Sequence, residues 1–227
     1  MEFQTAEVRV GKYTVSIIKD DQFIGRCLRA GHEWDGWMRQ DLPHIYKPGT
    51  DILDIGGNIG WNALMFSDYG PVHTFDPLFH SIIQKNVDQN ATSHPIHVHP
   101  YGLSSAEAEG TMYLAKPENG LTNYGGATLD PNPKWYDGTE PPIPAHFKKL
   151  DDVYSGVPSV IKLDVERHEL DVIKGAWRII TTHKPAMYIE ILDATNDEIV
   201  ELLKPLGYVS IPRPEDNYLF ICPGNHS

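Results

Sequence analysis

Cysteine is almost missing from this chain. Cys27 and Cys222 stand far apart with no CxxC pair, which excludes a disulfide framework and suits a reducing cytoplasmic setting. Basic charge is also scarce: 19 Lys and Arg face 31 Asp and Glu, a formal net charge of −12. A phosphate backbone is repelled on average by such a surface, so nucleic acid is not the expected partner. No apolar run approaches the ~20 residues a membrane-spanning helix needs, so no membrane span is expected. The start, MEFQTAEVRV, lacks the basic and apolar blocks of a secretory leader, and its abruptness also suits a domain cut from a longer chain. No internal repeat is visible.

What is present is an ordinary globular composition, 41% hydrophobic and 22% charged over 227 residues, which predicts a single domain with a real core. The most informative stretch is Asp51 to Gly60, DILDIGGNIG. Ile52, Leu53 and Ile55 read as a buried strand, Gly56, Gly57 and Gly60 as a turn that lets backbone approach a ligand, and 62–67 as a helix.

Around this stretch, 8–10 and 13–18 flank Gly11-Lys12 as an N-terminal hairpin, and 23–42 reads as helical up to Pro43. Residues 1–47 thus form a hairpin and helical cap, and 48–227 the core. Strands at 72–75, 96–99, 160–165 and 186–191 alternate with helices at 82–87, 169–180 and 196–203, and 208–211 and 218–222 close as an antiparallel hairpin. Alternation of this kind predicts an α/β fold with a mostly parallel sheet, whose ligands sit beyond the carboxyl ends of the strands. A strand at 111–114 precedes an insertion, 116–147, that lacks periodicity and reads as a substrate lid.

Asp76 ends the next strand 22 residues past Asp54, the spacing at which such folds set a carboxylate against two ribose hydroxyls. The dinucleotide fingerprint GxGxxG fails, because Asn58 and Trp61 stand where it needs glycine. Asp54, Gly56 and Gly60 instead form DxGxxxG, which resembles motif I of class I methyltransferases. Two rivals stay open: a nicotinamide-dependent oxidoreductase, and a non-catalytic nucleoside-binding module.

Taken together, DIGGNIG, FDP at 75–77, IKLDVERHELDVIKGA at 161–176 and IEI at 189–191 resemble the FkbM family of methyltransferases. The chain departs from that pattern in having Gly57 where Ala is common and Asp76 for the usual Glu, both conservative in role, and Arg167 where Gly is usual. The resemblance implies a Rossmann-like class I methyltransferase fold, a seven-stranded, mostly parallel sheet with helices on both faces. It also implies S-adenosylmethionine as methyl donor, S-adenosylhomocysteine as product, and a hydroxyl of a sugar or glycosylated molecule as acceptor, within a glycan-modifying protein. Asp54, Gly56, Gly57, Asn58, Gly60, Asp76, Pro77, Tyr101, Gly102, Leu103 and Asp164 are the expected cofactor residues, with Asp76 on the ribose and 101–103 near the adenine.

Methyl transfer to a hydroxyl requires alignment of the acceptor oxygen and acceptance of its proton. Lys162, Asp164 and Glu166 share one face if their strand persists. Glu166 is the first choice for general base, Asp164 the second, and His168 the third because imidazole titrates near neutrality. Trp34, Asn123, Tyr124, Trp135, Tyr136 and Arg167 are the substrate candidates. No metal is expected. The alternative is a hard divalent ion held by Asp164, Glu166, Glu190 and Asp193 at neighbouring strand ends. His97 and His99 form an HxH pair that reads as a solvated strand edge.

Overall fold

The computed structural model describes residues 3–115, 122–129, 136, 138, 140–191 and 195–224. Strands β1 (Thr5–Val10) and β2 (Tyr13–Ile18) form the expected hairpin, with Val10 opposite Tyr13. Buried Asn86 fastens it to the core: its Oδ1 accepts the Ser16 N–H at 2.6 Å, and its Nδ2 donates to the Ser16 carbonyl at 3.0 Å and the Ile59 carbonyl at 2.7 Å.

The cap is not one helix but two, α1 (Ile24–Arg29) and α2 (Met38–Ile45). Left-handed backbone at Gly31 (φ 78°) and Asp35 (φ 53°) breaks the helical path between them. Pro43 lies inside α2 rather than after it. It forfeits one intrahelical bond, a loss offset by burial of Met38, Leu42 and Ile45.

The core continues through β3 (Asp51–Ile55), α3 (Trp61–Phe66), β4 (Val72–Phe75), α4 (His80–Asp88), β5 (Ile96–His99), β6 (Gly102–Leu103), β7 (Ala108–Met112) and β8 (Ile143–Lys148). It then runs through α5 (Leu150–Val153), β9 (Pro158–Leu163), α6 (Glu169–Gly175), α7 (Trp177–His183), β10 (Ala186–Glu190), α8 (Thr195–Leu203), β11 (Val209–Pro212) and β12 (Asn217–Ile221). The main sheet has seven strands in the order β11-β12-β10-β9-β3-β4-β5. Strands β10 to β5 are parallel, and β12 enters antiparallel against β10. Alternation splits the side chains by face. Leu53, Ile55, Ile161, Leu163, Met187 and Ile189 pack with α6, α7 and α8, whereas Ile52, Val160, Ala186 and Tyr188 pack with α2 and α3. Ile55 pairs with both Phe75 and Leu163, so three strands end level at the point where the chain order reverses, the place such sheets use for ligands.

Three further sequence expectations need correction. The 169–180 helix is broken at Ala176 (φ −108°) into α6 and α7. The strand at 111–114 lies earlier, at β7. The insertion is not structureless throughout: its end is β8, the middle strand of a small second sheet ordered β6-β8-β7, and Thr128 bridges to Tyr113.

The solvated edge expected at the HxH pair holds for His97, on edge strand β5, but not for His99. His99 stacks on Phe75 (4.4 Å between ring centroids), and its Nε2 lies 3.0 Å from His73 Nδ1 and its Nδ1 3.2 Å from the Tyr101 hydroxyl. His73 also lies beside Asp51, which accepts from the Tyr154 hydroxyl at 2.6 Å. Only His97 of the group is exposed. Burial, reinforced by His73 and His97, pushes His99 down to about 4, and burial followed by His97 also lowers His73. The fold therefore holds both rings neutral, a stabilisation complete above the unfolded value of about 6.5 and lost as pH falls towards 4. Melting temperatures of wild type and His99→Phe at neutral pH and near pH 4.5 isolate this contribution, because Asp54 and Asp76, whose values are raised, act in the opposite direction in both proteins. The variant is expected to lose at least about 2 °C less than wild type on acidification; an equal loss refutes the linkage.

Candidate active site

The cradle follows β3. Gly56 takes φ 85°, and a Cβ there would stand 1.7 Å from the Asp164 carbonyl oxygen, so only glycine lets β3 and the chain beyond β9 approach. At Gly57 a Cβ would meet Thr74 Oγ1 at 2.1 Å, so Ala is no conservative exchange in this chain. Thr74 uses that same hydroxyl to donate to Asp54 Oδ2 at 3.1 Å.

Asp76 organises the turn opposite. Its Oδ2 accepts the Asn58 N–H at 2.9 Å, and its Oδ1 accepts those of Leu78 at 2.8 Å and Phe79 at 2.6 Å. Burial raises its pKa and the three N–H groups lower it, with a net position of about 6. These bonds lock the two turns together and leave acceptor capacity on Oδ2.

Gly56, Gly57, Asn58, Asp76, Pro77, Gly102 and Leu103 all line one cavity of about 750 Å³. Its walls combine apolar surface from Phe75, Leu78, Met112 and Phe147 with the carboxylates of Asp76, Asp164, Glu166 and Glu190, and its size falls within the range of small-molecule sites. A nucleoside carrying an amino acid fits this mixture, with apolar walls for the base and glycine backbone for close approach.

Three expected cofactor residues do not line the cavity. Asp54 is fully buried beneath the cradle, Gly60 (φ 81°) packs on Ile83, and Tyr101 turns to the histidine cluster. Their roles in this arrangement are to support the turn and close the core.

A buried charge network borders the cavity through Lys162, Asp164 and Asp35. Lys162, 3% exposed, donates to Asp164 Oδ2 at 2.9 Å and is close to Asp54 and Asp35. Burial opposes its charge, but Asp164, Asp54 and Asp35 more than offset that and raise its pKa. Burial likewise pushes Asp54 up to about 6 even though Lys162 and Thr74 lower it.

Beyond Leu163 the strand stops, so Lys162, Asp164 and Glu166 do not share a strand face. A different geometry brings the acids together: Glu166 (φ 54°) and Arg167 (φ 76°) are both left-handed. Arg167 therefore occupies a backbone position that suits glycine, the residue usual there in the family this stretch resembles. The corner is fastened from two sides. Buried Glu169 accepts the Val165 N–H at 3.1 Å and the Arg167 N–H at 3.2 Å through Oε1, and Thr128 donates to the Glu166 carbonyl at 3.1 Å. Carboxylate oxygens of Asp164, Glu166 and Glu190 then fall within 4.8 Å of one another. Burial first, and then the mutual repulsion of these acids, raises both Glu166 and Glu190 well above the ordinary carboxylate range. Such a trio can share a proton or coordinate a hard cation; the fourth expected ligand, Asp193, lies outside the described residues.

His168 borders the cavity with its Nε2 2.9 Å from Ser104 Oγ, and burial lowers its pKa although Asp171 opposes this. Arg167 reaches Glu166 at 3.5 Å. Of the substrate candidates, Trp34, Asn123 and Arg167 line the cavity. Tyr124 instead packs edge-on to Phe3, and Tyr136 packs on Tyr113 and donates to the Glu140 carbonyl. Trp135 lies outside the described residues. Sequence reasoning missed Asp35, Asn62 and the Glu215 to Asn217 turn, all in the cavity wall. Only the position of Asn62, just after the glycine turn, offered a signal.

No curated protein matches the chain. Among solved structures it is similar to methyltransferase FkbM from Methylobacillus flagellatus KT, with 20% identity and a TM-score of 0.51 over 76% of this chain and 43% of that one. A second similarity, to the Pyrococcus abyssi tRNA (uracil-54, C5)-methyltransferase in complex with S-adenosyl-L-homocysteine, has 11% identity and a TM-score of 0.47 over 96% of this chain and 42% of that one. The chain thus spans less than half the length of either structure. The first likeness agrees with the Rossmann-like sheet described above. The Methyltransferase FkbM domain family matches residues 54–210, from the aspartate beneath the cradle to β11, which is more than half of the chain, and the protein belongs to that family.

Proposed function

We propose that the protein is an S-adenosylmethionine-dependent O-methyltransferase that methylates a hydroxyl of a sugar or glycan. The observation that carries this reading is a single cavity lined both by the glycine cradle with Asp76 and by the Asp164–Glu166–Glu190 corner. Bound S-adenosylmethionine supplies an electrophilic sulfonium methyl group. Gly56, Gly57 and Asn58 would offer backbone to it, Asp76 Oδ2 would accept from a ribose hydroxyl, and the apolar wall with Gly102 and Leu103 would take the adenine.

The acceptor enters from the acidic side. Glu166 takes its hydroxyl proton, Asp164 fixes the charge of Lys162, and Trp34 and Asn123 supply an apolar face and an amide for a polyhydroxyl ring. The apolar walls exclude water and strengthen each of these polar contacts. Family membership and the failed GxGxxG spacing both favour this donor over a nicotinamide.

Titration calorimetry is expected to show binding of S-adenosylmethionine and S-adenosylhomocysteine and none of NAD. A panel of glycans incubated with S-adenosylmethionine is expected to yield one acceptor gaining a single methyl mass. NAD binding without S-adenosylmethionine binding overturns the donor, and donor binding with no methylated glycan overturns the acceptor class.

A further inference from the structure

The cavity wall contains a polar pair, Asp35 and Asn62, of which Asp35 also lies close to Lys162. Asp35 and Asn62 are 8% and 7% exposed, and both line the cavity. Asn62 Nδ2 donates to Asp35 Oδ2 at 3.0 Å, while the amide's own Oδ1 is buried with no hydrogen-bond partner among the described residues. The pair is held in place: Trp61, next to Asn62 on α3, donates its indole N–H to the Trp34 carbonyl at 2.8 Å, and Asp35 takes a left-handed φ of 53°. A buried acceptor without a donor has lost its water and gained nothing in exchange. Its persistence beside a buried carboxylate in a cavity wall points to a ligand that brings donors and positive charge.

We propose that Asp35 and Asn62 form a subsite for a primary ammonium group, with the Asp35 carboxylate as counter-ion and Asn62 Oδ1 as second acceptor. Rotation of the ligand's three N–H donors suits two acceptors that already sit side by side. Asn62 lies on the first turn of α3, immediately beyond the cradle, so the subsite adjoins the place where the amino acid end of the methyl donor would emerge. The inference rests on the cofactor reading above. An ammonium of the same chemistry can also come from an amino sugar acceptor, and the two sources are separable.

The experiment is calorimetry of wild type, Asp35→Asn and Asn62→Leu with S-adenosylhomocysteine, which carries the ammonium, and with 5′-methylthioadenosine, which lacks the amino acid. If the donor's ammonium occupies the subsite, both variants lose about tenfold or more in affinity for S-adenosylhomocysteine and keep that for methylthioadenosine within about twofold, since a hydrogen bond to a charged group contributes roughly 1.5–3 kcal/mol. Retained methylthioadenosine binding also shows that the variants are folded. If the ammonium belongs to the acceptor, both nucleosides bind as in wild type. Ligand-observed NMR on protein saturated with S-adenosylhomocysteine then shows D-glucosamine losing its advantage over D-glucose in the variants. Nucleoside binding and sugar preference both unchanged from wild type overturn the subsite alone; no S-adenosylhomocysteine binding by wild type overturns the cofactor reading and the donor's place in the subsite with it.

Discussion

Lys162→Met is expected to destabilise the protein by about 3–5 kcal/mol, because it removes the cation from a buried network and leaves its carboxylates uncompensated. Lys162 is 3% exposed, bonded to Asp164 at 2.9 Å, and flanked by Asp54 at 0% and Asp35 at 8%. Methionine preserves most of the side-chain volume, so the loss reports charge rather than a cavity. The pH dependence follows from the sign of the linkage. Without Lys162 the folded-state pKa of Asp54 rises further above its unfolded value, so stability is lost as pH rises through the new value and regained on acidification. Urea denaturation at neutral pH and near pH 5 is therefore expected to show the deficit shrinking at the lower pH, and Lys162→Met/Asp54→Asn to recover part of it at neutral pH. A loss below about 1 kcal/mol, the same at both pH values, would falsify the network. The prediction also separates two roles for Lys162: its burial in the cavity wall beside Asp164 makes it a fixed charge, not a group that titrates during turnover.

The fold was legible where one local signal sufficed. DILDIGGNIG announced a strand, a glycine turn and a helix, and β3, the left-handed Gly56 and α3 follow in that order. The level strand ends were legible too, since Asp76 and Asp164 each follow an apolar run and the pairing of Ile55 with Phe75 and Leu163 brings them to one edge. What sequence pattern could not supply was geometry created by departures from regular structure. Alternation predicted that Lys162, Asp164 and Glu166 face one way; the strand ends at Leu163, and a left-handed corner fixed by Glu169 and Thr128 performs the convergence instead. No periodicity encodes a pair of positive φ angles at Glu and Arg. Asp54 illustrates the converse, because its motif position marks it as a ligand group while it is fully buried and does not line the cavity. Asp35 lies in a loop whose left-handed backbone at Gly31 and Asp35 no helical periodicity encodes.

Glu166→Gln is expected to lower kcat by about 10²-fold or more with the first acceptor the glycan panel yields, while S-adenosylhomocysteine binds as in wild type. The side chain is nearly isosteric and the corner is held by backbone bonds to Glu169 and Thr128, so the geometry survives the exchange. Only the unprotonated carboxylate accepts the acceptor's proton. Because burial and the neighbouring Asp164 raise the Glu166 pKa, wild-type kcat should climb with pH well above the ordinary glutamate value of about 4.3, and that limb should vanish in the variant. His168 makes a contrasting forecast. Its pKa is lowered from about 6.5, so a limb below that value that persists in Glu166→Gln with little loss of kcat assigns the proton to His168 instead. The same assay in EDTA distinguishes a base from a ligand, since Glu166 acting by proton transfer alone leaves turnover unchanged in chelator, whereas a cation held by Asp164, Glu166 and Glu190 makes turnover depend on added metal.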